Sequence, residues 1–332
     1  MVPAATAGDG GGSIRIPSSC TGLFGLKPTR GRTPNGPDAA QSWQGAAVTH
    51  AITRSVRDSA ALLDLQTAPE PGAPYTLAPP EQPYSQVIQS DPRPLTIGFA
   101  RTTPFGKDLH PESLQAVNTT VALLESLGHR MVEAAPQYDW HELTASYLTM
   151  YFGEVAAEVA QIQKQRGKDR SSKDFEFATS SCAALGRAYN AGEFASAINS
   201  WNTYGRIMAQ FHETYDLFLT PTLAELPPRI GQFDTPWPLK ILGSVLIALN
   251  GGKVLRLMKV ADSIARDQLS TVPFTQLANI TGQPAMSVPL YWTEDNIPMG
   301  SHFIAPMGRE DMLFQLAAQL ERARPWFHRT CY

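Results

Sequence analysis

The residues best suited to chemistry lie almost at the amino terminus, in Gly8-Asp9-Gly10-Gly11-Gly12-Ser13-Ile14-Arg15-Ile16-Pro17. Glycines have no Cβ, so the backbone can curl until successive N–H groups face one point. A serine hydroxyl beside such a cluster joins a nucleophile to donors for the oxyanion that acyl transfer creates. A flexible linker is the competing reading of a Gly/Ser-rich stretch. A P-loop is excluded, because no Gly-Lys-Ser/Thr follows the glycines. Histidines stand at 50, 110, 129, 141, 212, 302 and 328, none of them near a motif. A Ser-His-Asp arrangement is recognised by geometry rather than by order, and surface or ordinary core positions are expected for each.

The elements that must hold this serine read as follows. Ile14-Arg15-Ile16 and the short runs up to Leu26 have β-type composition, as strands beside a backbone-lined site would. Ser55-x-x-Asp58 is an N-cap signal for a helix continued by Ala60, Leu62, Leu63 and Leu65. Eight prolines between Pro69 and Pro94 cannot supply a regular set of backbone donors, which predicts an extended surface excursion over 69–94. Leu95–Ala100 reads as a strand. Pro111 suits N1 of a helix striped by Leu114, Val117, Val121, Leu124 and Leu127, with Gly128 beyond its end. His129–Ala134 is strand again, and this β-α-β unit indicates a sheet flanked by helices. Helical pattern dominates 140–216, Asp216–Thr220 is a strand, and Phe274–Ile280 is a helix closed by Thr281-Gly282. Strands at Ala285–Leu290 and Met299–Ala305 then precede a last helix stopped by Pro325.

Composition narrows the class. At 332 residues, with 43% hydrophobic and 17% charged, the chain is globular with an ample core. A formal net charge of −3 gives no reason to expect a nucleic-acid partner. Lys164, Arg166, Lys168, Arg170 and Lys173 form one basic patch, read as a solvated helix end. Cys20, Cys182 and Cys331 fit neither a disulfide framework nor zinc spacing and suit a reducing cytoplasm. Cys20, close behind Ser13, is expected to be buried as a small hydrophobe rather than reactive. No signal peptide is visible. The longest apolar run, Ile241–Leu249, is too short to span a bilayer; a core or pocket-lining helix is expected there, with a membrane-leaning helix as the alternative.

The continuation GGGSIRIPSSCTGLFGLKPTRGRTP, Gly10 to Pro34, resembles the amidase signature family, whose members share Gly-Gly-Ser-Ile-Arg-x-Pro followed by Gly-Leu-Lys-Pro-Thr. NITGQPAMSVPL, Asn279 to Leu290, is a second match, and a closing helix ends in Ala323-Arg324-Pro325-Trp326. The resemblance implies an α/β amidase signature fold, a central mixed β-sheet flanked by helices, as a single domain over 1–332. It implies Ser13 as nucleophile, and Gly10, Gly11 and Gly12, with Ser13 itself, as the oxyanion hole. Asp9 and Arg15 match positions read as structural, joined by a charge-assisted hydrogen bond. The family's remaining catalytic groups are a second serine on a cis peptide bond and a neutral lysine base. Both lie upstream of the nucleophile, and twelve residues precede Ser13 here, so neither position exists in this chain. The expectation is therefore the carboxy-terminal two-thirds of an amidase domain, with its amino-terminal portion missing. Gly8 departs from the family's Ser or Thr before the Asp. Lys27 matches no catalytic position, and surface ion pairing is expected of it.

The resemblance implies hydrolysis of a small-molecule amide, a non-peptide C–N bond, through a serine acyl-enzyme. Some relatives act on cyclic oligoamides such as 6-aminohexanoate dimer. No cofactor and no metal are implied. With lysine and second serine lacking, the chain alone is expected to be weak or inactive. The alternative is a catalytically dead binding or assembly module, or a remnant that complements a separate amino-terminal half; a transamidase role in a complex ranks last. Exposed sheet edges would make the chain alone poorly soluble or a homo-oligomer.

Overall fold

The structure, a computed structural model, describes residues 2–37, 39–167, 175–249 and 251–329. In chain order, β1 (Ala4–Asp9) enters the Gly-rich turn and α1 (Arg15–Thr21) leaves it, followed by β2 (Phe24–Lys27), β3 (Val48–Thr53) and α2 (Val56–Gln66). The Pro-rich excursion carries α3 (Tyr84–Val87); β4 (Thr96–Phe99), α4 (Pro111–Ser126) and β5 (Arg130–Glu133) come next. Helices α5 (Trp140–Gln165), α6 (Phe177–Gly186) and α7 (Ala191–His212) precede β6 (Leu217–Pro221). Then come α8 (Trp237–Ala248), α9 (Gly252–Leu257), α10 (Val260–Asp267) and α11 (Thr275–Thr281), and finally β7 (Ala285–Trp292), β8 (Pro298–Ile304) and α12 (Glu310–Ala323).

The strands form one mixed sheet in the order β1-β3-β2-β7-β8-β6-β4-β5. Neighbours are antiparallel except β6–β4 and β4–β5. The predicted β-α-β unit is the parallel pair β4-α4-β5, with Pro111 at the helix start and Gly128 at φ 89° past its end. Ser55 caps α2, its hydroxyl accepting from the Asp58 N–H at 3.1 Å. This is the α/β fold, a central mixed sheet flanked by helices, that the sequence leads one to expect.

The chain packs as two compact units. The first is Met1–Trp140, Asn202–Pro227 and Thr271–Tyr332; the second is His141–Trp201 with Pro228–Ser270. Each has its own apolar contacts. In the first, Phe24, Met286, Val288 and Phe303 from the sheet meet Leu63 of α2 and Leu313, Leu316 and Leu320 of α12. In the second, which is helical, Val155, Val159 and Ala183 form the cluster.

Every residue of β8 is buried, so the sheet is covered on both faces there. Alternation then assigns its side chains. Ser301 meets Thr120 of α4 at 2.6 Å. Gly300 and His302 face the other side, where α1 lies: Gly300 N–H donates to Ser19 Oγ (2.7 Å) and His302 meets Arg15.

Two expectations are corrected here. Residues 15–21, read as β-type, are the helix α1. Asp9 accepts the Ile14 N–H, Pro17 falls in the first turn where its missing N–H costs nothing, and Gly22 in the left-handed region (φ 65°) stops the helix. These local contacts outweigh the β preference of two isoleucines. The run Ile241–Leu249, expected in a core or lining a pocket, is largely the exposed part of α8: Ile241, Leu242, Val245 and Leu249 all face solvent. Of the basic patch, Lys164 lies in the last turn of α5, whereas Lys168, Arg170 and Lys173 lie outside the described residues. Between 69 and 94 most positions are exposed, and Tyr84 and Ile88 are the buried anchors. The Asp64 carboxylate accepts the N–H groups of Tyr84 and Ser85 at 2.6 and 3.0 Å, tying α3 to α2.

Candidate active site

The turn between β1 and α1 is built around Asp9, which is fully buried. Its Oδ1 accepts the Gly12 N–H at 2.8 Å and its Oδ2 accepts the Ile14 N–H at 3.2 Å. One carboxylate thus pulls the chain on both sides of Ser13 toward itself. The result is a bend that leaves Ser13 exposed while Gly12 and Ile14 are buried. The bend needs glycine at position 12, where φ is +125° and a Cβ would come within 2.6 Å of Ile16 Cδ1 and Thr275 Oγ1. It needs glycine at position 10 as well, because a Cβ there would stand 2.6 Å from the Trp43 ring. Thr275 at the start of α11 closes the turn by donating to the Gly11 carbonyl at 2.7 Å.

Arg15 holds Asp9 in place. Its Nε and Nη2 donate to the two carboxylate oxygens, each at 2.9 Å, and both side chains are fully buried. The remaining N–H groups donate to Thr275 O (2.9 Å), His302 Nε2 (2.9 Å) and Asn279 Oδ1 (2.6 Å). All five guanidinium donors are used, so burial leaves none of them unpaired and the desolvation cost is offset as far as hydrogen bonds can. Asn279 completes the clamp, its amide donating to Asp9 O, Asp9 Oδ1 and Ala46 O at 2.9–3.0 Å. Burial by itself disfavours an ionised Asp9, but the Arg15 charge and these bonds outweigh it and hold the carboxyl well below the usual range. The charge-assisted bond expected of Asp9 and Arg15 is therefore present, bidentate and dry.

The expected site residues divide by what their groups do. Ser13 Oγ has no hydrogen-bond partner among the described residues, and none of them accepts from the N–H of Gly11 or Ser13. The Gly12 N–H, expected to serve an oxyanion, is instead bonded to Asp9, so this amide holds the turn. Lys27 is corrected too: it is fully buried, not at the surface. Its Nζ donates to Pro28 O at 2.9 Å. Burial, helped by the nearby Arg15 charge, pulls its pKa down to about 7.

Sequence reasoning missed three members of this cluster. His302 lies in no motif, yet it packs on Arg15, brought there by strand pairing far along the chain. Thr275 and Asn279 lie within and beside the second matching motif, which carries no spacing signal of its own to assign them a role. Cys20 is partly buried, and desolvation raises its thiol to about 11, an unreactive state. A cavity of about 90 Å³ lies elsewhere in the first unit, lined from 30–35, 40–48 and 67–79; neither Ser13 nor Gly10, Gly11 or Gly12 lines it. No helix among the described residues is long and apolar enough to cross a membrane.

Comparison with known proteins agrees with this fold. The family model described as Amidase matches residues 1–314. The chain is 32% identical over 334 residues to 6-aminohexanoate-cyclic-dimer hydrolase of Pseudomonas sp. (strain NK87), covering 99% of this chain and 64% of that protein. It is 34% identical over 336 residues to the putative amidase AmiC of Mycobacterium leprae (strain TN), covering 98% of this chain and 63% of that one. A solved structure of 6-aminohexanoate cyclic dimer hydrolase complexed with substrate superposes with TM-score 0.87 at 31% identity, covering 99% of this chain and 66% of that one. The chain thus spans a little under two thirds of the length of these relatives. With the family model matching nearly end to end, the chain belongs to the amidase family.

Proposed function

We propose that this chain carries the acylation site of an amide hydrolase, with Ser13 as the nucleophile. The carrying observation is the exposure of Ser13 on a turn whose backbone is pinned from below by the Asp9–Arg15 pair. A pinned turn pre-orients Ser13 Oγ and the neighbouring N–H groups, so little reorganisation is left for the reaction itself. In this reading Ser13 Oγ attacks the amide carbonyl carbon and passes its proton to a base. The oxyanion takes hydrogen bonds from the Gly11 and Ser13 N–H groups, with Gly10 beside them and Gly12 holding the bend. Collapse breaks the C–N bond, the amine leaves with a proton, and water then cleaves the acyl-serine ester.

The base is assigned, by resemblance, to the lysine and relay serine that family members carry ahead of the Gly-rich turn. Turnover is proposed to require both. Similarity to 6-aminohexanoate-cyclic-dimer hydrolases favours a small, non-peptide and cyclic amide as substrate. The unbridged thiols Cys20 and Cys182 accord with a reducing cytoplasm.

A second reading, ligand binding without turnover, is favoured by one observation. Ser13 Oγ has no basic partner among the described residues, the buried Lys27 being turned to Pro28 O. The test that separates the two is labelling with a fluorophosphonate, comparing wild type with Ser13→Ala and locating the adduct by mass spectrometry. An adduct confined to Ser13 supports acylation. A folded chain that takes no label, with or without an added amino-terminal segment of a relative, leaves the binding reading.

A further inference from the structure

Helix α8 wears its apolar side outward. Gly243 and Ile247, one turn apart, are its buried positions, and Phe177 of α6 comes within 2.7 Å of where a Gly243 Cβ would sit. Ile241, Val245 and Leu249 each lie two residues from one of these, about 200° round a helix, and so form a stripe on the opposite side. They are 46%, 51% and 74% exposed, Leu242 beside them is 51% exposed, and Trp237 at the helix start is 74% exposed. α9 continues the surface: Gly252 and Leu255 are buried, while Val254, Leu257 and the following Met258 are exposed. A surface helix ordinarily carries polar residues there, and an apolar patch this continuous marks a contact surface.

Charge says what the surface meets. Between Asp234 and Asp262 there is no acidic residue, whereas Lys240, Lys253, Arg256 and Lys259 are basic. Arg256 is taken by Glu193, at 2.5 Å, and by the Tyr189 ring. Lys240, Lys253 and Lys259 are exposed and form no ion pair among the described residues. A second copy of the chain docked through a two-fold axis would lay this face on itself and bring like charges together. An acidic lipid surface meets both features at once: phosphates for the lysines, and an acyl boundary for the apolar stripe, with an indole at the helix end where interfacial tryptophans collect.

We propose that α8 and α9 lie on an anionic lipid surface, with Ile241, Leu242, Val245 and Leu249 in the headgroup–acyl boundary and the three lysines against lipid phosphates. The attachment is peripheral and reversible. It is independent of whether Ser13 is acylated, and it leaves any homo-oligomer to other surfaces.

The test is co-sedimentation of the full chain with vesicles of equal parts phosphatidylglycerol and phosphatidylcholine, and with phosphatidylcholine alone. Binding is expected to the anionic vesicles, weakened by salt, with a blue shift of tryptophan emission that Trp237→Phe removes. Replacing all three lysines by Gln should weaken partitioning roughly 100-fold, since each lysine near an anionic leaflet contributes about fivefold. Val245→Glu with Leu249→Glu, both at exposed positions and so neutral to folding, should abolish it. The proposal is overturned by a cooperatively folded chain that ignores both vesicles, by binding that survives the two glutamates, or by a concentration-dependent dimer that those glutamates dissolve. Binding of an acidic protein partner with no affinity for vesicles would overturn it equally.

Discussion

His302 Nε2 lies 2.9 Å from Arg15 Nη1, and because a guanidinium can only donate, the imidazole nitrogen must accept. The proton is then on Nδ1, which donates to Thr220 Oγ1 at 3.1 Å. A neutral histidine with a fixed tautomer is thus built into the floor beneath Ser13. Burial, reinforced by the Arg15 charge, holds its pKa far below the usual value. In the unfolded chain it titrates near 6.5, so below that pH the unfolded state binds the additional proton and stability falls as pH drops. His302→Gln, whose carbonyl can accept from Arg15, should flatten the decline in melting temperature between about pH 6.5 and 4.5 and cost about 1 kcal/mol. His302→Leu should flatten it as well but cost more, about 3 kcal/mol, because an Arg15 donor loses its partner. A decline unchanged in both variants would show that His302 is not the group responsible.

Lys27 acts in a different pH window. Its folded pKa is lowered to about 7 from an unfolded value near 10.4, so between these limits the unfolded state is the more protonated. Stability should therefore rise as pH increases from about 7 toward 10.4, because the cost of giving up the Lys27 proton on folding disappears once the unfolded state is neutral as well. Lys27→Met keeps the length and removes the proton. Melts from pH 7 to 10 should show a rise in wild type and none in the variant.

These two groups mark where the sequence stopped being informative. The Gly-rich turn, the Ser55 cap, the β4-α4-β5 unit and the Gly282 stop each rest on neighbours within a few residues, and they could be read directly. The cluster under Ser13 rests on Asp9 and Arg15 meeting Thr275, Asn279 and His302, some 260 to 290 positions away. Nothing in local pattern says that β8 pairs beside β7 in the register that turns His302 toward α1. Lys27 is hidden from the sequence for a related reason: a lysine ending a strand is usually solvated, and its burial follows from neighbours distant in the chain, Glu310 among them. The helical reading of 241–249 was right in kind, but periodicity alone cannot say which side of a helix finds a partner.

The turn should tolerate change on one side of Asp9 and not on the other. At Gly8 the nearest atom to an added Cβ is Val48 O at 3.9 Å, so Gly8→Ser, which restores the family's hydroxyl, should fit with a stability change within about 0.5 kcal/mol. Gly12→Ala must carry a side chain at φ +125° into contacts of 2.6 Å, which costs at least about 2 kcal/mol and displaces the Gly12 amide from Asp9. Thermal melts, with fluorophosphonate labelling on the same samples, would check both. An alanine at 12 that left melting and labelling untouched would show that the bend does not depend on glycine.

Removing half of the buried pair should do more harm than removing both charges. Asp9→Asn leaves Arg15 charged and dry, and uncovering one buried ion in this way costs about 3–5 kcal/mol. Asn can still accept from Gly12, but its NH2 cannot take the Ile14 N–H that Asp9 Oδ2 accepts, so the variant removes the charge and one of the two bonds that pin the turn. Arg15→Met with Asp9→Asn removes both charges and should recover part of the loss, whereas Arg15→Met alone should not. Ser13→Ala belongs in the same series as a control: its side chain is exposed and makes no hydrogen bond among the described residues, so stability should stay within about 0.5 kcal/mol while labelling vanishes. Denaturant titration of wild type, the two single variants at Asp9 and Arg15 and their double gives the coupling between Asp9 and Arg15 directly. A coupling near zero would mean that the turn is held by its backbone bonds, and that the buried charges contribute nothing to presenting Ser13.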